Sequence, residues 1–421
     1  MPTLPLLTQC TTLPSEDQEK ISTISLAQVL AARPAQGSPL RVESAYIHVP
    51  FCFHKCHYCD FYSFVDTRDQ QGAFTERLVR EIQAVGSGQD RPLKTLFIGG
   101  GTPTLLAPGH WKTLLAALDE HLPIASGGPG GPGGPGAEFT VEANPETLTA
   151  ELVDVLVAGG VNRLSIGCQS FNPVHLKTLE RWHDPANVER AVDIARRGGI
   201  TNINLDLIFA IPGQTLSDWT DDLVRAVDLG PMHLSCYGLM YEPNTALTKR
   251  VQLGQVVPTE DDLEAEMYEA ALAVLEARGF VQYEISNWSL PGRECRHNLA
   301  YWRNENWWAL GPSASGHLDG LRWKNLPRLG DYLASLDWPP IVDVEMLPET
   351  ERTGELLMLR LRLNEGVPLT LLDALLTSAD PRRHVIARHE AAGLLERTDT
   401  HLRLTPRGRL LADSVLSDLV S

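Results

Sequence analysis

Between residue 45 and about residue 286 the chain repeats one unit: a short β-rich run, a polar or glycine-rich turn, then a stretch with helical periodicity. Strands are expected at 45–50, 95–98, 138–142, 163–166, 202–209 and 233–237, and 281–285 offers a seventh. Their apolar residues run in near-continuous blocks, as strands buried on both faces require. Helices are expected at 70–85, 111–121, 148–158, 186–196, 216–229 and 259–278. In the last of these Thr259 is placed to cap, with Asp262 three residues on. Leu263, Met267, Ala270, Val274 and Leu275 form its stripe, and Gly279 stops it. Repeated β–α units imply a parallel sheet, either an open doubly wound sheet or all or part of a β/α barrel. Both architectures place ligands at the carboxyl ends of the strands.

Around this core, residues 1–40 lack periodicity and read as a loosely ordered lead-in, with the repeat domain spanning 41–286. The run GGPGGPGGPG at 127–136 is too short for a collagen triple helix and reads as a flexible surface insertion. Residues 287–348 break the pattern into an aromatic, polar linking region, and 349–421 read as a winged-helix-like helical module. A winged helix suggests DNA, but this one has ten arginines and no lysine against eleven acidic residues. The whole chain, 421 residues long, carries a net charge of -17, which lacks the positive field that nucleic acid or an anionic membrane attracts. No apolar run approaches the roughly 18 residues that span a bilayer, and the N-terminus has no secretory pattern. A cytoplasmic protein is therefore expected, with a dimer left open.

Seven cysteines are an odd number, and three fall within eight residues, in Tyr46-Ile-His-Val-Pro-Phe-Cys52-Phe-His-Lys-Cys56-His-Tyr-Cys59. That clustering argues against a disulfide framework and for reduced thiols holding a metal. Soft thiolates suit zinc or an iron–sulfur cluster. A structural zinc site wants four closed ligands; His48, His54 or His57 would supply the fourth, but no second cysteine knuckle occurs. A cubane held by three cysteines leaves one iron open to a substrate or cofactor. Cys10, Cys168 and Cys236 read as structural, since free cysteine in strand patterns behaves as a small hydrophobe.

C-x3-C-x2-C with an aromatic, Tyr58, before the last cysteine resembles the signature of the radical S-adenosylmethionine superfamily. That resemblance implies a partial, open β/α barrel in which Cys52, Cys56 and Cys59 hold a [4Fe-4S] cluster and the open iron binds S-adenosylmethionine. Five further stretches narrow it: Tyr46-x-His-x-Pro-Phe-Cys, Gly99-Gly-Gly-Thr-Pro103, Val141-Glu-Ala-Asn-Pro145, Arg163-Leu-Ser-Ile-Gly-Cys-Gln-Ser-Phe171 and Asn204-Leu-Asp-Leu-Ile208. Together they are similar to the oxygen-independent coproporphyrinogen III oxidase family, over about residues 45–330 and more weakly beyond. Carried over residue by residue, Tyr46 and Tyr58 would line the S-adenosylmethionine site. Gly100, Gly101 and Thr102 would approach its amino-acid end through their backbone. Glu142, Gln169, Arg181 and Asp206 would bond its polar groups, Arg181 taking the carboxylate.

Two departures shift the expectation. The oxidases carry another cysteine two positions after the triplet, where this chain has Phe61. It also carries His297-Asn-Leu-Ala-Tyr-Trp302, which resembles the H-N-x-x-Y-W motif of the family's haem chaperone branch. The resemblance implies a carrier that binds haem and passes it to client proteins, without the oxidase activity. His297 would be the haem ligand, with Cys295 ranked lower. Tyr301, Trp302, Trp307, Trp308 and Trp323 are candidates for a haem-facing wall or, equally, for core. The alternatives are radical oxidative decarboxylation of coproporphyrinogen III and a zinc-holding structural protein.

Overall fold

The computed structural model describes residues 24–31, 41–125 and 136–420. Six parallel strands form its centre: β1 (Ser44–Val49), β2 (Thr95–Gly100), β3 (Glu138–Ala143), β4 (Arg163–Gln169), β5 (Asn202–Phe209) and β6 (His233–Gly238). Each pairs with the next in sequence, as His48 with Gly99, Glu142 with Ser165 and Gly167 with Asp206. Sequential parallel order is the barrel arrangement, and it excludes the doubly wound alternative, whose strand order reverses at a switch point. The main crossover helices are α1 (Gln71–Gly86), α2 (Pro108–His121), α3 (Ala150–Ala158), α4 (Ala186–Arg197), α5 (Leu216–Asp228) and α6 (Asp261–Ala277).

At one edge β7 (Val281–Glu284) and β8 (Asn287–Ser289) form a hairpin, β8 running antiparallel to β6. The seventh strand expected at 281–285 thus exists and keeps the direction of the parallel series, but β8, running the other way, lies between it and β6. The residues expected to link domains, 287–348, also belong largely to the sheet. After helix α7 (Arg296–Trp302), β9 (Trp307–Leu310) runs parallel to β1, and β10 (Ser315–Leu318), β11 (Leu321–Asn325) and β12 (Pro340–Met346) continue antiparallel. Period-2 burial in β11, rather than a continuous apolar block, hid these strands among the aromatics. Within the expected loose lead-in, Ile24–Ser25 pairs with β12 and Leu26–Ala31 is helical, with Leu26 buried. The two ends of this sheet do not pair among the described residues, so the barrel is open. Residues 127–135 of the Gly–Pro insertion and Cys10 lie outside the described residues.

Helix α6 begins at Asp261, and Thr259 does not cap it: its hydroxyl donates to the carbonyls of Ala210 and Ile211 instead. Gly279 ends the helix with φ +83°. The C-terminal module starts with α8 (Glu349–Leu361) and contains the expected two strands, Leu395–Arg397 and His401–Leu404. Its own apolar core gathers Leu357, Leu361, Leu372, Leu402 and Leu416. No helix among the described residues is long and apolar enough to cross a membrane.

Candidate functional site

The cysteine loop leaves the carboxyl end of β1 and is pinched at its base. Phe51–Cys52 pairs with Phe64–Val65, and the Phe51 ring packs edge-on against Phe64 and Phe74. Inside the loop the Cys59 N–H donates to the Cys56 carbonyl (3.3 Å), while His57 is held by the backbone of Leu179 and Leu247. Cys52 and Cys59 are half-buried and Cys56 is buried; none forms a disulfide. Burial pushes the Cys59 thiol up to about 11, so ligation there releases a proton.

The glycine-rich turn after β2 packs against this loop with no room for side chains. A Cβ on Gly100, whose φ is +111°, would come within 2.5 Å of the His48 ring. One on Gly101 would meet the Phe51 carbonyl at 2.6 Å. Thr102 donates its hydroxyl to Cys52 Sγ (3.6 Å), and Arg181 reaches Cys56 Sγ (3.8 Å) while donating to the Gly167 carbonyl (3.1 Å). The Gly100 N–H donates to Glu142 Oε2 (3.0 Å). Burial, and next the neighbouring Asp206, raises the Glu142 carboxyl to about 8. Asp206 accepts from Ser165 (3.0 Å) and Asn204 (2.8 Å), and burial raises it too. Glu142, Arg181 and Asp206 all keep partial exposure. Carboxylates, a guanidinium and a glycine-rich backbone thus gather beside three thiols at one end of the barrel.

Tyr58 packs in a satellite apolar cluster with Leu179, Ile208 and Leu247. Tyr46 points its hydroxyl at His48 Nδ1 (3.0 Å) and rests its ring on Phe97. His48 is in turn fixed by the Tyr62 carbonyl (2.7 Å), and burial lowers its pKa to about 4. It is a wedge under the glycine turn, not a free ligand, and His54 lies stacked on Trp182. Among the described residues no three His, Cys, Asp or Glu are placed to share one metal ion. A cubane asks for something else, one thiolate per iron. The soft donor set, the close glycine cradle and the bonds from Thr102 and Arg181 to sulfur fit that requirement.

Sequence reasoning missed Asp222. On α5 it accepts from the Ser170 hydroxyl (2.6 Å) and the Phe171 N–H (2.7 Å), bending the end of β4 so that Gln169 adopts φ +65°. The residues are some fifty positions apart, and no local pattern marks the pairing. His183, which accepts from Arg181 Nε (3.3 Å) only two positions away, was also missed.

His297 lies at the other end of the barrel. It is buried beneath the start of β2, with Nδ1 paired to the Thr95 hydroxyl (2.8 Å) and Nε2 to the Tyr301 hydroxyl (2.9 Å). Its ring stacks on Phe97, and burial lowers its pKa to about 3. Glu138 holds the start of α7 by accepting the N–H groups of Arg296 (2.9 Å) and His297 (3.1 Å). In this conformation neither imidazole nitrogen is free for a metal. Beyond it, the Arg362 guanidinium covers the Trp302 ring at 4.9 Å, and Arg303 forks onto Glu365. Of the proposed aromatic wall, Trp308 and Trp323 are core residues, and Trp307 packs on Tyr301 with its indole N–H on the Ser315 carbonyl. Cys295 is buried against Glu138, while Cys168 and Cys236 are buried in the main core.

The Radical SAM superfamily pattern matches residues 46–225, and the HemN C-terminal domain matches 347–411. "Heme chaperone HemW" of Mycobacterium tuberculosis is 38% identical over 398 residues, covering 92% of this chain and 96% of that protein. Its namesake in Escherichia coli is 36% identical, covering 89% and 97%. Among solved structures, coproporphyrinogen III oxidase (HemN) from Escherichia coli superposes with a TM-score of 0.79 over 94% of each chain at 22% identity, which shows a shared fold.

Proposed function

From the premise that this chain belongs to the heme chaperone HemW family within the radical S-adenosylmethionine superfamily, we propose that it is a cytoplasmic haem chaperone. It takes up haem and delivers it to client proteins. Near full-length similarity to proteins of that name carries the reading. Phe61, at 63% exposure where the oxidases have a cysteine, supports it.

In this reading Cys52, Cys56 and Cys59 hold a [4Fe-4S] cluster, and Gly100, Gly101, Thr102, Glu142, Gln169, Arg181 and Asp206 receive S-adenosylmethionine, lined by Tyr46 and Tyr58. The cluster supplies one-electron chemistry toward the sulfonium. The residues of this chain do the binding: Arg181 offers a fixed guanidinium to a carboxylate, and Glu142 and Asp206 accept from hydroxyl or ammonium groups. Asp222 and His183 keep Gln169 and Arg181 in place. His297 is the proposed haem ligand, and it ligates only after α7 moves off Thr95 or the bond to Tyr301 within α7 opens.

The test is transfer. Anaerobically reconstituted protein, loaded with haem, is mixed with an apo-haem protein and the acceptor spectrum is followed. Growth of holo-acceptor that requires the chaperone supports the reading. Steady conversion of coproporphyrinogen III to protoporphyrinogen by the same preparation overturns it, as does a colourless preparation that holds zinc.

A further inference from the structure

A groove of about 610 Å³ opens at the amino end of the barrel, on the side away from the cysteine loop. One wall is the start of β1 and β2, with Ser44 and Thr95. The other is the flank of α7, with Arg296, Leu299 and Arg303. We propose that this groove receives the carboxylate edge of haem, with Arg296 and Lys94 as its principal anion-binding residues. The inference rests on the haem chaperone reading and adds to it a location, an orientation and residues outside the H-N-x-x-Y-W motif.

Three observations carry it. The first is charge. Arg41, Lys94, Arg296 and Arg303 line the groove of a chain whose net charge is -17. Arg41 and Lys94 share a single carboxylate, Glu43, at 2.9 and 2.8 Å. Arg296 spends its guanidinium on the Gly136 carbonyl and forms no ion pair among the described residues. Glu305 and Asp319 also line the groove, and Asp319 accepts from Asn306 (2.7 Å). Arg303 is committed to Glu365, so the cations that meet a carboxylate arriving in the groove are Lys94, which shares Glu43 with Arg41, and Arg296.

The second is the position of His297. The floor of the groove is the Thr95 hydroxyl, bonded to Ser44 Oγ (2.9 Å) on one side and to His297 Nδ1 (2.8 Å) on the other. One hydroxyl separates the groove from the imidazole. Tilting α7 away from β2 widens the groove and uncovers His297 in a single movement.

The third is lining. The volume lies within the range of small-molecule sites, roughly 300–1,000 Å³, but such sites are mostly apolar and this one is mostly polar. It suits the anionic edge of an amphipathic molecule better than its apolar faces. Those faces stay toward the opening, where a client that must extract the cargo can reach them.

The experiment compares haem with its dimethyl ester, which keeps the iron and macrocycle and removes both charges. Each is titrated by absorbance into wild type, Arg296→Gln, Lys94→Gln and His297→Ala. Wild type is expected to favour free haem over the diester by about tenfold, the size of one charge-assisted hydrogen bond. Each glutamine variant should weaken haem binding about five- to tenfold and leave diester binding, iron content and S-adenosylmethionine binding unchanged. Lys94 is half exposed, so its variant also guards against misfolding in Arg296→Gln. Haem and diester binding wild type equally, or glutamine variants that bind haem like wild type, overturn the groove while leaving the chaperone reading intact. Wild type that binds neither porphyrin overturns both.

Discussion

Replacing Tyr301 with phenylalanine should tighten haem binding, although it removes a residue of the motif itself. In the closed structure the Tyr301 hydroxyl is the partner of His297 Nε2 at 2.9 Å, and the ring packs on Trp307. Phenylalanine keeps the packing and deletes the bond. A buried nitrogen left without its partner costs about 1–3 kcal/mol, and that cost falls on the closed state alone, because an exposed imidazole finds water. Taking about 1.5 kcal/mol, the population with α7 released rises roughly tenfold. When only a small fraction of molecules is competent to bind, the apparent dissociation constant varies inversely with that fraction. The apparent Kd for haem should therefore fall about tenfold in Tyr301→Phe. Absorbance titration measures it, and hydrogen exchange of the 296–302 amides reports the opening independently. A His297→Ala, Tyr301→Phe double variant should lose the effect. Faster exchange combined with unchanged or weaker haem binding would refute the reasoning, since α7 would then open without exposing the ligand.

Acid should destabilise the chain from below about pH 6.5. Burial lowers His297 to about 3 and His317 to about 4, and drives His233 well below its ordinary value. These bases are neutral when folded and protonate when unfolded, so their stability is complete above 6.5 and is lost as pH falls toward the folded values, at about 1.4 kcal/mol per group per pH unit. His48 and His183, also lowered to about 4, add to the loss, while Glu142 and Glu81, raised to about 8 and 7, carry the opposite sign and offset part of it. Urea midpoints that stay level between about pH 7 and pH 5 would contradict this. Asp222→Ala should cost about 2–3 kcal/mol by urea unfolding, because it strands the Phe171 N–H, and should weaken S-adenosylmethionine binding measured by equilibrium dialysis; Asp222→Asn should be milder. With Glu142 raised to about 8, its stronger-accepting carboxylate form grows as pH rises through that value. S-adenosylmethionine affinity should climb over the same interval in wild type and stay flat in Glu142→Gln.

The parallel core was legible because strands covered on both faces write themselves as apolar blocks, and all six appear with small shifts at their ends. The strands the sequence lost are those with a different physical signature. Residues 321–325 alternate between buried and half-buried positions, and 287–289 is a three-residue strand. Their aromatics suggested a ligand wall because Trp308 and Trp323 carry the same composition whether they face a macrocycle or a core. Shape decides, and Gly316 shows it: a Cβ there would lie 2.2 Å from the Trp323 ring. Thr259 teaches the same lesson on a smaller scale, its hydroxyl drawn from the helix end by two carbonyls some fifty residues away.

The two ends of the barrel differ in how far local sequence defines them. At the carboxyl end, Cys52, Cys56 and Cys59 lie on one short loop, and Gly100, Glu142 and Asp206 each stand near the end of a strand whose register sets their height. Their proximity follows from the fold class. At the amino end, the state of His297 depends on Thr95, Tyr301, Phe97 and Glu138, drawn from three segments, and on Arg362 and Glu365 of the C-terminal module holding Trp302 and Arg303. A motif names the residues of α7 but not what they bond to. The family resemblance therefore proposes His297 as a ligand, whereas the structure shows both of its ring nitrogens bonded. Both statements hold if access is conditional, and the bonds that set the condition lie within α7 and between it and its neighbours. That makes the C-terminal module, which grips the last turn of α7, part of the end of the molecule at which haem binding is proposed.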